Sequence, residues 1–480
     1  MEEIPDGLAD ADWLEVRADL VGDLDPAALR KTVPGKPLLY TLRSRAEGGA
    51  FEGSPERRKR RLLDAARRYD YVDLEMARDL VPEVLKGVPP ERRVISWHGP
   101  ATPLPGLQSV FRKMAEAEAA LYKLVPAATQ AGEELPPLLL LQGLGRNDVT
   151  AFCTGLAGAW TRLVAPRLGA PVVYGAAGPP GMPPGAPGQL SIRQLVRDFG
   201  LPALPPASVL FGIVGNPVSH SLSPRIHNAA YRELGVPALY LPFYTESFGD
   251  FWLEVVESGL LEELGLPIRG LSVTAPYKEA ALAVAGAESP RAGLIGAANT
   301  LVWNQGVWEA EATDPDGIVL PLHERGIPIE GRPAAVVGTG GAGRSAAAGL
   351  ATAGARVTLV NRGAERGLQA ADLLGLPFVP LSDFDPAAFD ILVNATSIGR
   401  NNGESLPFAV DRLRPGAVVI DMVYGDGPTP FLREAAARGA KTVDGREVLL
   451  GQAVGQFRMM TGRDLPRALV RRIVGLEEMP

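Results

Sequence analysis

Through the first 200 positions of the chain, short apolar runs alternate with segments in which apolar residues return every three or four places. Runs of the first kind predict buried strands at Trp13–Arg17, Leu38–Arg43, Tyr71–Glu75, Arg93–His98, Leu121–Val125, Val149–Cys153 and Val172–Tyr174. The segments between them predict helices, and strict alternation of the two predicts a parallel α/β sheet. Polar residues fall in a pattern too. Glu15 and Arg17, Arg43, Glu75, His98 and Lys123 each sit toward the carboxyl end of an otherwise apolar strand. In a (β/α)8-type barrel that rim carries the active site. A buried charge without a partner is costly, so charges on successive strands predict one converging polar pocket. Taken singly, each is as readily a structural ion pair as a catalytic group. Seven strands are one short of a closed barrel, the first being missing. The expectation is that something else covers the two open edges or that the chain begins further upstream.

The pattern changes at Gly200–Ser208, a proline-rich connection that marks the main boundary. The Pro/Gly run at 178–188 is read as a long loop inside the first domain. Beyond the boundary, the apolar stretch Ala334–Val337 enters Gly338, Gly340 and Gly343, with Gly341 and Ala342 between them and a helical pattern following. That spacing predicts a dinucleotide fold. The glycines allow a tight turn and close backbone approach, and the first N–H groups of the helix face the pyrophosphate. The next strand ends at Asn361-Arg362. An arginine where an acidic residue would hold the ribose 2′-hydroxyl predicts NADP rather than NAD. The domains are therefore expected at 1–203, at 209–320 completed by 450–480, and at 321–449, the last being the Rossmann NADP domain.

Composition agrees with several soluble cores: 480 residues, 46% hydrophobic and 21% charged. A net charge of −7 argues against nucleic acid or an anionic membrane as partner, leaving small-molecule substrates held by local cations. Cys153 is alone, and the amino terminus has neither a basic nor an apolar leader region, which predicts a cytoplasmic protein. No metal constellation is seen among four scattered histidines. His220 and His227 are expected to hold their loop, His323 to lie on the surface, and the basic run Arg57–Arg61 to be a solvated helix face.

Two groups of residues suggest chemistry. Lys123 in a hydrophobic strand near arginines should be driven toward the neutral amine and so attack a ketone, forming an imine, while His98 moves a proton at the adjacent carbon. Together these steps dehydrate a β-hydroxy ketone. In the second half, Lys278 and Asp314 are natural partners for proton transfer to a ketone oxygen that receives a hydride.

The first roughly 200 residues resemble the type I 3-dehydroquinate dehydratases. The matching pieces are Glu15–Arg17, Thr41–Arg43 with Glu47–Gly49, Asp73–Glu75, Ser96–His98, Tyr122–Val125, Thr161-Arg162 and Ala186–Gln189. The resemblance implies that Lys123 forms the imine, His98 is the acid/base and Glu75 orients it. It implies further that Arg162 binds the substrate carboxylate, that Glu15, Arg17, Arg43 and Gln189 make other substrate contacts, and that the Pro/Gly loop closes above. Gly185 departs from a usual serine, and Phe152 and Thr154 from usual methionines.

From residue 209 onward the chain resembles shikimate dehydrogenase, in Asn216–Pro224, Val273–Lys278, Ile295–Thr300, Thr313-Asp314, Gly338–Gly343, Asn361-Arg362, Asn394–Ser397, Asp421–Tyr424 and Gly445–Gln452. This implies Ser221, Ser223, Thr274, Lys278, Asn299, Asp314, Tyr424 and Gln452 at shikimate. NADP is implied at the loop 338–343, Asn361, Arg362, Arg366, Thr396, Met422 and Gly445. Ser272, Ala312 and Gly363 depart from the usual Asn, Asn and Thr or Ser. The expectation is a bifunctional enzyme that dehydrates 3-dehydroquinate and reduces the product with NADPH. The alternatives are a dehydrogenase with a degenerate barrel, a nucleotide-binding sensor without turnover, and an NAD-linked quinate oxidase. Oligomeric state is left open.

Overall fold

The structure is a computed structural model describing residues 7–177, 185–399, 405–425 and 427–476. The chain divides into two compact units: 1–208 with 243–267, and 209–242 with 268–480.

In the first unit, β1 (Leu14–Arg17), β2 (Leu38–Thr41), β3 (Tyr71–Glu75), β4 (Arg93–Gly99), β5 (Leu121–Pro126) and β6 (Val149–Ala151) form one sheet in chain order. Every neighbouring pair is parallel, in one register of buried Leu, Val and Ile that only a sheet covered on both faces permits. Local signals place the helices between them. Ser54 accepts from Arg57 N ahead of Pro55 to start Pro55–Ala66. A capping box of Ser191 and Gln194 starts Ile192–Phe199, which ends at Gly200 with φ 75°.

Two expectations are corrected here. Val172–Tyr174 is not a seventh laddered strand. The Thr150 hydroxyl donates to Val172 O at 3.2 Å and accepts from Val172 N at 3.3 Å, so a side chain takes up the groups that a strand would pair. The run Arg57–Arg61 is not wholly solvated either: Arg58 is buried and pairs bidentately with Asp79 at 2.7 and 2.6 Å. The unit closes on itself where Gly7, before the turn Leu8–Asp10, meets Ile192. The detour 243–267 is packed into it, with Trp160 edge-on to Phe243 at 5.3 Å and Gln142 donating to Glu263 O at 3.0 Å.

Beside Trp160 lies Glu134, buried, with Oε2 lacking a hydrogen-bond partner among the described residues. Burial raises its carboxyl to about 7. A raised carboxyl favours the fold while protonated, so the stability it contributes is present below pH 4.5 and is lost progressively as pH rises to about 7. Urea unfolding should therefore lose on the order of 2–3 kcal/mol across that window in the parent, and Glu134→Gln should flatten this loss. Identical pH profiles for the two proteins would contradict the assignment.

The second unit carries two sheets. One comprises β7 (Val209–Gly215), β8 (Ala238–Tyr244), β9 (Ile268–Val273), β10 (Ala287–Glu288), β11 (Thr300–Asn304) and β12 (Val307–Glu311), in the order β10-β12-β11-β9-β7-β8 with β11 antiparallel to both its neighbours. The other comprises β13 (Pro333–Val337), β14 (Arg356–Asn361), β15 (Phe378–Pro380), β16 (Ile391–Asn394), β17 (Val418–Asp421) and β18 (Lys441–Val443), all parallel. Its order, β15-β14-β13-β16-β17-β18, is the doubly wound arrangement whose switch point lies between β13 and β16. The helix Gly445–Thr461, opened by a capping box of Asp444 and Glu447, runs back to the first of these sheets, where Gln456 bonds to Ser272 and to Asn299 O. Among the described residues no helix is long and apolar enough to cross a membrane.

Candidate active sites

The carboxyl ends of β1–β6 open into a cavity of about 370 Å³ lined by Glu15, Arg17, Arg43, Glu47, His98, Lys123, Phe152, Thr154, Arg162, Tyr174 and Gln189, with Gly185–Pro187 along one side. Residues 178–184 of the expected closing loop lie outside the described residues. Lys123 is 5% exposed, its Nζ 3.6 Å from Glu15 Oε1. Burial lowers its pKa, with Glu15 opposing and Arg43 and Arg17 assisting. Glu15 also accepts from Thr41 Oγ1 at 2.7 Å. Burial alone would raise its carboxyl, yet Lys123, Thr41 and the two arginines hold it below the usual range.

His98 is held at both its backbone and its ring. Its N–H donates to Glu47 Oε2 at 2.9 Å, while Nδ1 faces the same oxygen at 3.3 Å and meets Arg43 Nη1. Burial, then Arg43 and Lys123, keep the imidazole neutral, well below its usual pKa. A neutral base with Nδ1 occupied leaves Nε2 for the cavity. The carboxylate orienting it is Glu47, and not Glu75 as the sequence suggested. Glu75 is fully buried, accepts from Ser44 N at 2.8 Å and lies 3.4 Å from Arg58, so its place is structural. Burial first, then Glu75, raises Glu47 to about 7.

Arg17 is paired with Asp19 at 2.9 and 2.8 Å, and Arg43 with Glu47 and Asp73. Arg162 differs. It is 2% exposed and lies over the Phe152 ring, and among the described residues it donates only to Tyr174 O at 3.2 Å and leaves Nε without a partner. No carboxylate among the described residues pairs with it, and burial lowers it to about 10. A cation so placed at a cavity wall is a site for an anion.

In the second unit, Lys278 Nζ donates to Asp314 Oδ2, and Asn299 Nδ2 donates to Asp314 Oδ1 at 2.8 Å and to Thr313 Oγ1 at 3.0 Å. Thr274 directly follows β9, and in the turn Ser221–Ser223 the Ser223 N–H donates to Ser221 Oγ at 3.2 Å. Ser223 also bonds Tyr240, whose hydroxyl donates to Ser272 Oγ at 2.6 Å. Ser272 Oγ in turn donates to Gln456 Oε1 at 3.0 Å. Tyr424 is half-buried and close enough to act on Tyr240 electrostatically; Gln452 is half-buried one turn before Gln456. Burial drives His227 to about 3. It stacks on Tyr240 at 4.2 Å, so it belongs to an aromatic core rather than holding the loop.

The glycine turn fits a dinucleotide. Gly338 has φ 107°, a Cβ on Gly343 would collide with Gly338 O, and Gly340 has open space beside it. The helix Gly341–Thr352 begins without a side-chain cap, and the first N–H groups of a helix have no partner within it. A Cβ on Gly341 would stand 3.3 Å from Lys278, which sets this turn beside the Lys278–Asp314 pair. Gly445 packs against Val423 O, and Thr396 bonds Asn394 through both N and Oγ1. Arg362 and Arg366 are exposed near the end of β14 without a carboxylate partner among the described residues, and Asn361 holds Gly363 O at 2.8 Å.

Residues 213–301 match the family model of the shikimate dehydrogenase substrate binding domain. A shikimate dehydrogenase (NADP(+)) of Halorubrum lacusprofundi is 40% identical over 270 residues, 54% of this chain and 94% of that protein. The chain belongs to the shikimate dehydrogenase family. Residues 1–201 match the family model of type I 3-dehydroquinase, so a dehydroquinase domain precedes the dehydrogenase. The same pairing occurs in a chloroplastic bifunctional 3-dehydroquinate dehydratase/shikimate dehydrogenase of Arabidopsis thaliana, 29% identical over 97% of this chain and 80% of that one. The solved shikimate 5-dehydrogenase of Thermus thermophilus, in complex with NADP(H) and shikimate, is 34% identical, with a TM-score of 0.51 over 56% of this chain and 98% of its own.

Within the dehydrogenase unit, Tyr240 and Gln456 were not singled out from the sequence. Gln456 lies four residues after Gln452 on one helix face, a spacing that could have found it. Glu47 likewise lies four residues after Arg43 in the Glu-Gly-Gly piece of the dehydroquinase domain, and pairs with it at 3.1 Å.

Proposed function

We propose that the chain catalyses two successive reactions, dehydration of 3-dehydroquinate to 3-dehydroshikimate in the first unit and NADPH-dependent reduction of 3-dehydroshikimate to shikimate in the second. The observation that carries the first is the cavity itself, which sets a buried lysine, a neutral histidine and an uncompensated arginine around one volume. Lys123 Nζ condenses with the substrate ketone. His98 Nε2 takes the proton from the adjacent carbon and then delivers it to the departing hydroxyl, and water releases the product from Lys123. Arg162 receives the substrate carboxylate, Glu47 positions His98, and Glu15, Arg17, Arg43 and Gln189 make the remaining contacts.

In the second unit a dihydronicotinamide, when bound, would supply a hydride to the ketone carbon. Lys278 holds a proton against Asp314 and gives it to the ketone oxygen, while Asn299 fixes Asp314. Ser221, Ser223, Thr274, Tyr424 and Gln452 bind the shikimate carboxylate and hydroxyls. Gly338, Gly340, Gly341, Ala342 and Gly343 would cradle the pyrophosphate, Arg362 and Arg366 would hold the 2′-phosphate beside Asn361, and Thr396, Met422 and Gly445 would complete the NADP site. The reading includes domains at 1–203, 209–320 with 450–480, and 321–449, and a cytoplasmic location.

Arg162→Leu tests the carboxylate assignment. It should raise KM for 3-dehydroquinate by about 10- to 150-fold, the worth of one charge-assisted hydrogen bond, and leave 3-dehydroshikimate reduction unchanged. An unaltered KM would remove Arg162 from the site.

A further inference from the structure

The dehydratase cavity contains an arrangement that the reaction above leaves unused. Lys123 Nζ lies 3.6 Å from the centroid of the Tyr174 ring. Glu15 stands 3.6 Å from the same nitrogen, Ser96 and Thr150 are its neighbours in register on β4 and β6, and Arg43, Asp73 and Arg17 act on it electrostatically. The ring is fixed by packing: it lies 6.1 Å from Phe152 and rests on the cluster of Leu39, Val94 and Leu121. Among the described residues its hydroxyl has no hydrogen-bond partner, and burial keeps the phenol protonated, far above its usual pKa. Tyr174 therefore presents a neutral π face to Lys123, and the hydroxyl takes no part in holding it.

We propose that the Tyr174 ring keeps the imine nitrogen on Lys123 protonated, which makes it a further catalytic residue of the dehydration. This rests on the imine reading of the cavity. Condensation of the lysine ammonium with the ketone forms the C=N bond, releases the carbonyl oxygen as water with two protons from nitrogen, and conserves one positive charge. When His98 takes the neighbouring proton, the C–H electron pair moves toward that cation to give a neutral enamine. When the hydroxyl leaves as water with the proton from His98, the pair moves back and the cation is restored. A neutral imine would accept the pair poorly, and burial at this position pushes nitrogen toward neutrality. The electron-rich ring face offsets that push.

The test traps the imine. Full-length protein without NADPH is incubated with 3-dehydroquinate and borohydride from pH 6 to 9.5, and the adduct is read by intact mass, with Lys123→Ala as blank. Parent and Tyr174→Phe should lose adduct at the same pH. Tyr174→Leu should lose it about one pH unit lower, the shift expected from a roughly tenfold loss of cation stabilisation. Pentafluorophenylalanine at position 174 keeps the ring's shape, removes its negative face, and should shift the midpoint as leucine does. A purely structural role would lower the yield without moving the midpoint. Unshifted midpoints in both variants, with adduct in the parent, overturn the inference alone. Absence of adduct in the parent overturns the imine reading itself.

Discussion

Lys123→Ala is expected to abolish turnover of 3-dehydroquinate, lowering kcat by roughly four to six orders of magnitude, while reduction of 3-dehydroshikimate stays within about twofold. The size follows from what the nitrogen does. Without it no covalent intermediate forms, and His98 faces a ketone whose neighbouring proton has no cationic electron sink. Lys123→Arg should be nearly as poor, since a guanidinium cannot become a neutral nucleophile. The cavity would still bind substrate through Arg162, so KM should move far less than kcat. Steady-state absorbance of the enone product checks both quantities, and dehydration above one hundredth of the parent rate in Lys123→Ala would exclude the lysine as nucleophile.

Lys278→Met should lower kcat for 3-dehydroshikimate reduction by about 10²–10⁴, with dehydration unaffected. Its Nζ is the donor aimed at Asp314 Oδ2, while Asn299 Nδ2 holds the other oxygen of that carboxylate at 2.8 Å. Methionine keeps an unbranched stem beside Gly341, one atom shorter, and removes the ammonium that carries the proton, so NADPH affinity, followed by fluorescence, should be preserved. Asp314→Asn should give a comparable loss, and the double variant should be little worse than either single one because the two act as a unit. Additive losses would show that the pair does not share one role.

How much of this was legible beforehand can be judged residue by residue. The parallel order of β1–β6 and the doubly wound sheet follow from apolar periodicity and the glycine turn, both local signals. Lys123 and His98 stood out because each falls toward the carboxyl end of an apolar strand, whereas Arg162 was suggested by the resemblance of Thr161-Arg162 alone. Val172–Tyr174 was misread because the Thr150 hydroxyl, distant in sequence, takes the bonds of a ladder. Glu75 and Glu47 were confused for a similar reason. Glu75 ends β3 and Glu47 lies in the turn after β2, and the placement of Arg58 beside one and His98 beside the other separates a structural carboxylate from an orienting one. The Tyr174 face toward Lys123 joins two segments about fifty residues apart, beyond the reach of any spacing rule.

The central claim, two activities in one chain, is tested most directly by NADPH oxidation with 3-dehydroquinate as the only other substrate. The account predicts oxidation in the parent after a lag, none in Lys123→Ala, and full recovery of that variant with 3-dehydroshikimate. Oxidation with 3-dehydroshikimate but none with 3-dehydroquinate in the parent would contradict it, leaving a dehydrogenase whose first unit is not a catalyst.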